Sequence, residues 1–101
     1  LELHTYSSLN ASFLKEYRGA LDAADKAVVF YSPHAVQIKQ LEEVSVEQIV
    51  QAFQRNDLVI YTNPKYFQDY LFSQNLEDTA LLLMSSGNYG GLDFDRLQEI
   101  I

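Results

Sequence analysis

The chain has no cysteine and no tryptophan, and only one methionine, two prolines and four glycines among 101 residues. Without cysteine there is no disulfide framework, no thiolate metal ligand and no thiol nucleophile, which suits a reducing compartment and makes a cytoplasmic location the expectation. Basic residues are scarce as well: seven Lys and Arg stand against fourteen Asp and Glu, a formal charge of -7, with no basic cluster. Such a surface repels a nucleic-acid backbone, so nucleic acid is not an expected partner. No apolar run approaches the roughly 20 residues that cross a bilayer, and the N-terminus lacks the basic-then-apolar pattern of a signal peptide. A soluble chain with no membrane partner is expected. What is present is 48% hydrophobic and 21% charged content, enough for the core of one domain.

The apolar pattern alternates between runs and helical spacing. Leu1-Glu2-Leu3 reads as the tail of a strand with no initiator Met, so a piece of a longer polypeptide is expected. Phe13, Leu14, Tyr17, Leu21 and Ala24 recur at helical spacing and predict a helix of about four turns. Ala27-Val28-Val29-Phe30-Tyr31 is a second strand, apolar on both faces, which implies helices covering both sides of a parallel sheet. Residues 32–44 show no clear period. Ser45-x-x-Gln48 is a capping box opening a helix with Val46, Ile49, Val50 and Phe53 inward. Leu58-Val59-Ile60-Tyr61 is a third strand. Asn63-Pro64 caps a helix with Phe67, Tyr70 and Leu71 inward. Residues 80–84 read as a last strand, and Asp93 caps a closing helix with Phe94, Leu97 and Ile100 or Ile101 on one side.

Strands alternating with helices require crossover connections, almost always right-handed. The expected fold is therefore α/β: a Rossmann-like three-layer α/β/α domain with a mainly parallel sheet, order 3-2-1-4 for the strands present, and its N-terminal part missing. Chain direction reverses between the first and last strands, so a crevice opens beyond their carboxyl ends. Two polar loops leave those ends: His4-Thr5-Tyr6-Ser7-Ser8 and Ser85-Ser86-Gly87-Asn88-Tyr89-Gly90-Gly91. Ser32-Pro33-His34 lies next door.

The second loop is either a turn whose glycines accept positive φ, or a place where a ligand approaches backbone N–H groups near a helix start. Asp93 and Asp95 put negative charge at that start, so a carboxylate or carbonyl contact is expected there rather than a triphosphate. His4 is either a surface imidazole or a titratable donor at a strand end, beside hydroxyls that could hold a phosphate or acyl-phosphate oxygen. His34 follows the same logic. Two histidines without metal-ligand spacing do not make a zinc site, so no metal residues and no catalytic residues are assigned. The Glu42-Glu43 pair reads as a solvated loop, and the tyrosines Tyr17, Tyr31, Tyr66 and Tyr70 as packing.

Several signatures are absent. There is no G-x-G-x-x-G after the first strand, which disfavours an autonomous dinucleotide site, no G-x-x-x-x-G-K-[ST], so this piece cannot bind a triphosphate by a P-loop, and no G-x-S-x-G nucleophile elbow. The strand ends His4-Thr5 and Tyr61-Thr62-Asn63 lack the acidic residues of a phosphoacceptor receiver domain.

With these loops placed, the chain resembles the C-terminal domain of the Mur ligases, ATP-dependent amide-forming enzymes of peptidoglycan precursor synthesis and recycling. Leu3-His4-Thr5-Tyr6-Ser7-Ser8, then Phe13-Leu14-x-x-Tyr17 and Ala23-Ala24-Asp25, is similar to the strand, H-R-Y-x-R loop and helix of UDP-N-acetylmuramate:L-alanine ligases. Leu82-Leu83-Met84-Ser85-Ser86-Gly87-Asn88-Tyr89-Gly90-Gly91 is closer to the M-S-N-G-G-F-G-G stretch of murein peptide ligases, and Ser32-Pro33-His34 to their Q-P-A-H. The two arginines of H-R-Y-x-R are Thr5 and Ser8 here, so no arginine clamp carries over.

The resemblance implies that residues 1–101 are a single Mur ligase C-terminal (third) domain, part of a three-domain ligase. ATP and Mg would be bound by a missing central domain against which this one packs, with no cofactor in the fragment. The substrates implied are UDP-N-acetylmuramate and L-alanine or the murein tripeptide L-alanyl-γ-D-glutamyl-meso-diaminopimelate. The domain would position the incoming amine and close over ATP; the isolated fragment would be inactive. His4, Tyr6, Ser7, Ser8, Ser32, His34, Ser86, Gly87, Asn88 and Gly91 are the expected substrate-binding residues. The alternative is a non-catalytic Rossmann-like module that binds a ligand or a protein; a free-standing nucleotide-binding domain is a further rival.

Overall fold

The computed structural model describes residues 1–4, 10, 12–38 and 44–101. Two strands, β1 (Val28–Phe30) and β2 (Val59–Tyr61), pair in parallel, with Val28 opposite Val59 and Phe30 opposite Tyr61. On the far side of β1, Glu2 bridges Phe30 in parallel. Leu3 N donates to Phe30 O and Phe30 N to Leu1 O, each at 2.9 Å, and Glu2 N in turn donates to Met84 O at 2.9 Å. These bonds place β2, β1, residues 1–3 and residue 84 side by side in that order. The chain is thus a small mixed α/β unit built on a two-stranded parallel sheet.

Neither residues 1–3 nor residues 80–84 extend into the strands that their apolar patterns predict. Ala80, Leu82 and Met84 are exposed, Leu82 by 71%, while Leu81 and Leu83 pack on the core. Alternate side chains anchor this segment without a continuous backbone ladder.

β1 is buried from both sides, as its unbroken apolarity requires. Val29 and Tyr31 pack with Leu3, Leu14, Ile49, Phe53 and Leu58, whereas Phe30 packs with Phe67, Leu71, Tyr89, Leu92 and Leu97. The helix α2 (Val46–Phe53) covers the first face, and α3 (Pro64–Ser73) and α4 (Phe94–Ile100) the second.

The caps are those the sequence specifies. Gln48 N donates to Ser45 Oγ at 3.2 Å while Ser45 N donates to Gln48 Oε1 at 2.8 Å, closing the capping box of α2. Asn63 Oδ1 accepts from Lys65 N at 2.9 Å with Pro64 at the first helical position of α3. Asp93 Oδ1 accepts from Arg96 N at 3.0 Å at the start of α4.

Three further expectations are corrected. The helix predicted from Phe13 to Ala24 is a single 3-10 turn, Leu14–Tyr17, followed by turns. Leu14 and Leu21 still face inward, but the later carbonyls are bonded from outside. The Arg55 guanidinium donates to the carbonyls of Leu21 (2.6 Å), Ala24 (2.7 Å) and Asp25 (3.0 Å). Its hydrogen bond to Asp57 holds that carboxyl below the usual carboxylate range. Second, the aperiodic connection after β1 contains a helix, α1 (Pro33–Ile38), whose six residues are too few to show a period. Third, the expected buried stripes are narrower: Val46, Phe94, Ile100 and Ile101 are exposed, leaving Ile49 and Phe53 on α2 and Leu97 on α4 as the fully buried contacts.

Candidate functional site

Residues 1–3 leave the sheet at its carboxyl end, so His4 emerges where residues 85–91 also begin. What joins the two is Glu2. Its residue is only 6% exposed, and a buried carboxylate is costly unless its oxygens are bonded. Glu2 Oε1 accepts from the Ser85 hydroxyl in a short hydrogen bond and from Tyr89 N at 2.9 Å. Glu2 Oε2 lies 3.7 Å from His4 Nδ1, and the His4 side chain is 41% exposed. One buried acid therefore links His4 to the loop of residues 85–91.

The second loop is folded by its own small residues. Ser85 Oγ, while donating to Glu2, accepts from Gly87 N at 2.8 Å. Asn88 O accepts from Leu92 N at 2.9 Å, and Asn88 Oδ1 from Gly91 N at 3.2 Å. Gly87 is required by proximity. A Cβ there would sit 2.9 Å from Glu2 Oε1 and 2.9 Å from His4 Cγ and Cδ2, so the loop backbone lies directly against the imidazole.

Tyr89 anchors the loop from below. Its ring is buried against Phe67 (centroids 5.3 Å apart) and Phe30 (6.2 Å), and its hydroxyl donates to Met84 O at 3.1 Å. Its backbone has φ of 55°, a left-handed conformation that a bulky residue adopts only when its surroundings hold it. Here the buried ring and the bond from Tyr89 N to Glu2 do so. Burial, reinforced by the nearby Glu2 charge, pushes the Tyr89 phenol up to about 12 from 10.0.

That shift predicts an alkaline weakness. The raised value means that the folded state resists ionisation, so its contribution is complete below pH 10.0, the unfolded value, and is lost as pH rises towards about 12. Urea melts taken across this window should show a loss of stability in the wild type that Tyr89→Phe lacks. At neutral pH the variant should be weaker by about 0.5–1.5 kcal/mol, the worth of one hydrogen bond. Parallel loss in both proteins would show that another group dominates.

Of the residues singled out from the sequence, the structure brings together His4 and Gly87, with Ser86, Asn88 and Gly91 exposed on the same loop. Ser32 is half-buried just beyond β1, and His34 is exposed on α1, at the end of the adjacent strand. Tyr6, Ser7, Ser8 and the Glu42-Glu43 pair lie outside the described residues. Ser85 and Tyr89 belong to the loop read from the sequence but not to its expected binding residues, and Glu2 belongs to neither. Glu2 in Leu1-Glu2-Leu3 looks like the solvent face of an alternating strand, yet an interior strand covered on both faces has no solvent face. That inconsistency was the available signal.

An exposed imidazole beside a buried carboxylate, with a loop backbone pressed against it, can orient a polar or anionic ligand group. Among the described residues no three His, Asp or Glu side chains are grouped to hold a metal ion, and no helix is long and apolar enough to cross a membrane. No family model, curated protein or solved structure matches the chain.

Proposed function

We propose that this chain is the third domain of an ATP-dependent amide ligase of the Mur type, and that its two-stranded sheet belongs to a Rossmann-like three-layer α/β/α fold. The observation that carries the reading is the meeting of His4 with the loop of residues 85–91 at the carboxyl ends of adjacent segments, linked through Glu2. His4 opens one of the sequences that resemble the ligase motifs and residues 85–91 form the other, and a shared position is what a common substrate contact requires.

On this reading the parent phosphorylates the carboxylate of UDP-N-acetylmuramate to an acyl phosphate, which the amino group of L-alanine or of the murein tripeptide attacks. ATP and Mg are assigned to the central domain of that parent. The residues here do not fit them: the chain has no P-loop, and the N-terminus of α4 is already occupied by Asp93. What this domain contributes is orientation of the amine near the acyl carbon and closure against water.

In the full-length parent, His4→Ala and Asn88→Ala should each depress ligation of alanine or tripeptide strongly. Stability should change by no more than about 1.5 kcal/mol, since each loses at most one polar side-chain contact, His4 with Glu2 and Asn88 with Gly91 N. Wild-type ligation in both variants removes the assignment. A G-T-x-G-K-[TS] stretch a few hundred residues upstream would support the ligase, and its absence from the parent would favour a non-catalytic binding module.

A further inference from the structure

Glu2 does more than neutralise its own burial. Oε1 is engaged with Ser85 and Tyr89, which leaves Oε2 as the oxygen turned to His4, 3.7 Å from Nδ1. The imidazole cannot swing freely away from this arrangement on the loop side, where the Gly87 backbone lies against Cγ and Cδ2. A carboxylate facing one ring nitrogen favours the tautomer with the proton on that nitrogen, and the other nitrogen then carries the lone pair. At 3.7 Å the two atoms are close enough to interact by charge but too far apart for a hydrogen bond, and catalytic contacts of this kind commonly tighten only when substrate binds.

Resting on the ligase reading above, we propose that Glu2 is a positioning residue that holds His4 in the Nδ1–H form, so that His4 Nε2 accepts a proton from the ammonium group of the incoming amine. The nitrogen must lose that proton before it can attack. One ammonium N–H bond breaks, its electron pair stays on nitrogen, and the proton forms a bond to Nε2. The freed amine then bonds to the acyl carbon, the carbon–oxygen bond to phosphate breaks, and the departing phosphate takes the second nitrogen proton. Glu2 faces the imidazolium so formed. Ser85 and Tyr89 keep Glu2 in place without touching the reacting atoms.

The test uses this chain and does not depend on ligation. The chain has two histidines, so the exposed His34 serves as an internal reference for His4. Long-range proton–nitrogen NMR, which distinguishes the two neutral tautomers of an imidazole, reports which ring nitrogen is protonated. In the wild type His4 should be mainly the Nδ1–H tautomer and His34 mainly Nε2–H, and Glu2→Gln should return His4 to the His34 pattern. A wild-type His4 indistinguishable from His34 overturns the proposal, and so does a folded Glu2→Gln protein in which the His4 tautomer is unchanged. If Glu2→Gln does not fold, the wild-type spectrum still decides. In the full-length ligase, Glu2→Gln should lower kcat about a hundredfold with the amine KM nearly unchanged. A merely structural Glu2 predicts rescue of kcat by Gln, which keeps the acceptor for Ser85 and Tyr89. A wild-type His4 without the Nδ1–H preference counts against Glu2 alone, whereas undiminished ligation in His4→Ala counts against the ligase reading.

Discussion

Phe30→Ala should destabilise the chain by about 3–5 kcal/mol, the range for removing a fully buried aromatic ring. Phe30 is 0% exposed and sits between Phe67, at 5.4 Å between ring centroids, and Tyr89, at 6.2 Å. Against a total stability of about 5–15 kcal/mol for a domain, this is a large share. At about 4–8 °C per kcal/mol, the thermal midpoint should fall by more than 12 °C, as calorimetry can measure. The effect should reach the site as well. Phe30 supplies two of the backbone bonds that hold residues 1–3, to Leu1 and Leu3, and part of the floor under Tyr89, so the Tyr89 phenol should titrate closer to its ordinary value in the variant. Phe53→Ala is the control, because Phe53 is equally buried but packs on the opposite face of β1. It should cost a similar amount and leave the Tyr89 titration in place. If both variants shift Tyr89 alike, the two faces are not separable.

Gly90→Ala should cost about 2–4 kcal/mol, far more than an exposed alanine substitution ordinarily does. Two effects combine. Gly90 has φ of +69°, which strains any residue with a Cβ, and that Cβ would lie 2.6 Å from Pro64 Cγ and 3.0 Å from Pro64 Cβ. The proline ring cannot rotate aside, since it is fixed at the first turn of α3. Gly91 separates the terms: it also has a positive φ, +97°, but a Cβ there meets nothing within 4 Å. Gly91→Ala should therefore show the conformational cost alone, about 1–3 kcal/mol, and unfold later in urea than Gly90→Ala. Equal midpoints for the two variants would mean that the loop shifts to relieve the clash with Pro64, and that the site is less firmly braced against α3 than this geometry requires.

The sequence by itself determined the features that depend on local chemistry. Ser45, Asn63 and Asp93 cap their helices because a short polar side chain can reach the exposed N–H groups of the next turn whatever lies around it. The unbroken apolar run ending in Tyr31 forced β1 to be covered on both faces. The side-by-side placement of residues 1–3 and 84 followed from the expected order of the segments, and it put His4 next to Gly87.

Only the tertiary structure decided the rest. The stripe from Phe13 to Ala24 stops being helical at Arg18, whose ψ is 120°, and Gly19, whose φ is 73°, and Arg55, some 30 residues away, then bonds the carbonyls of Leu21, Ala24 and Asp25. Whether residues 80–84 formed a strand depended on a ladder of backbone bonds, to which apolarity contributes nothing. The role of Glu2 was least legible, because a carboxylate between two leucines is read as solvated until its neighbours are known. Burial beside Ser85, Tyr89 and His4 changes its meaning, since a charge away from water acts on whatever faces it, and pattern along the chain cannot say what that is.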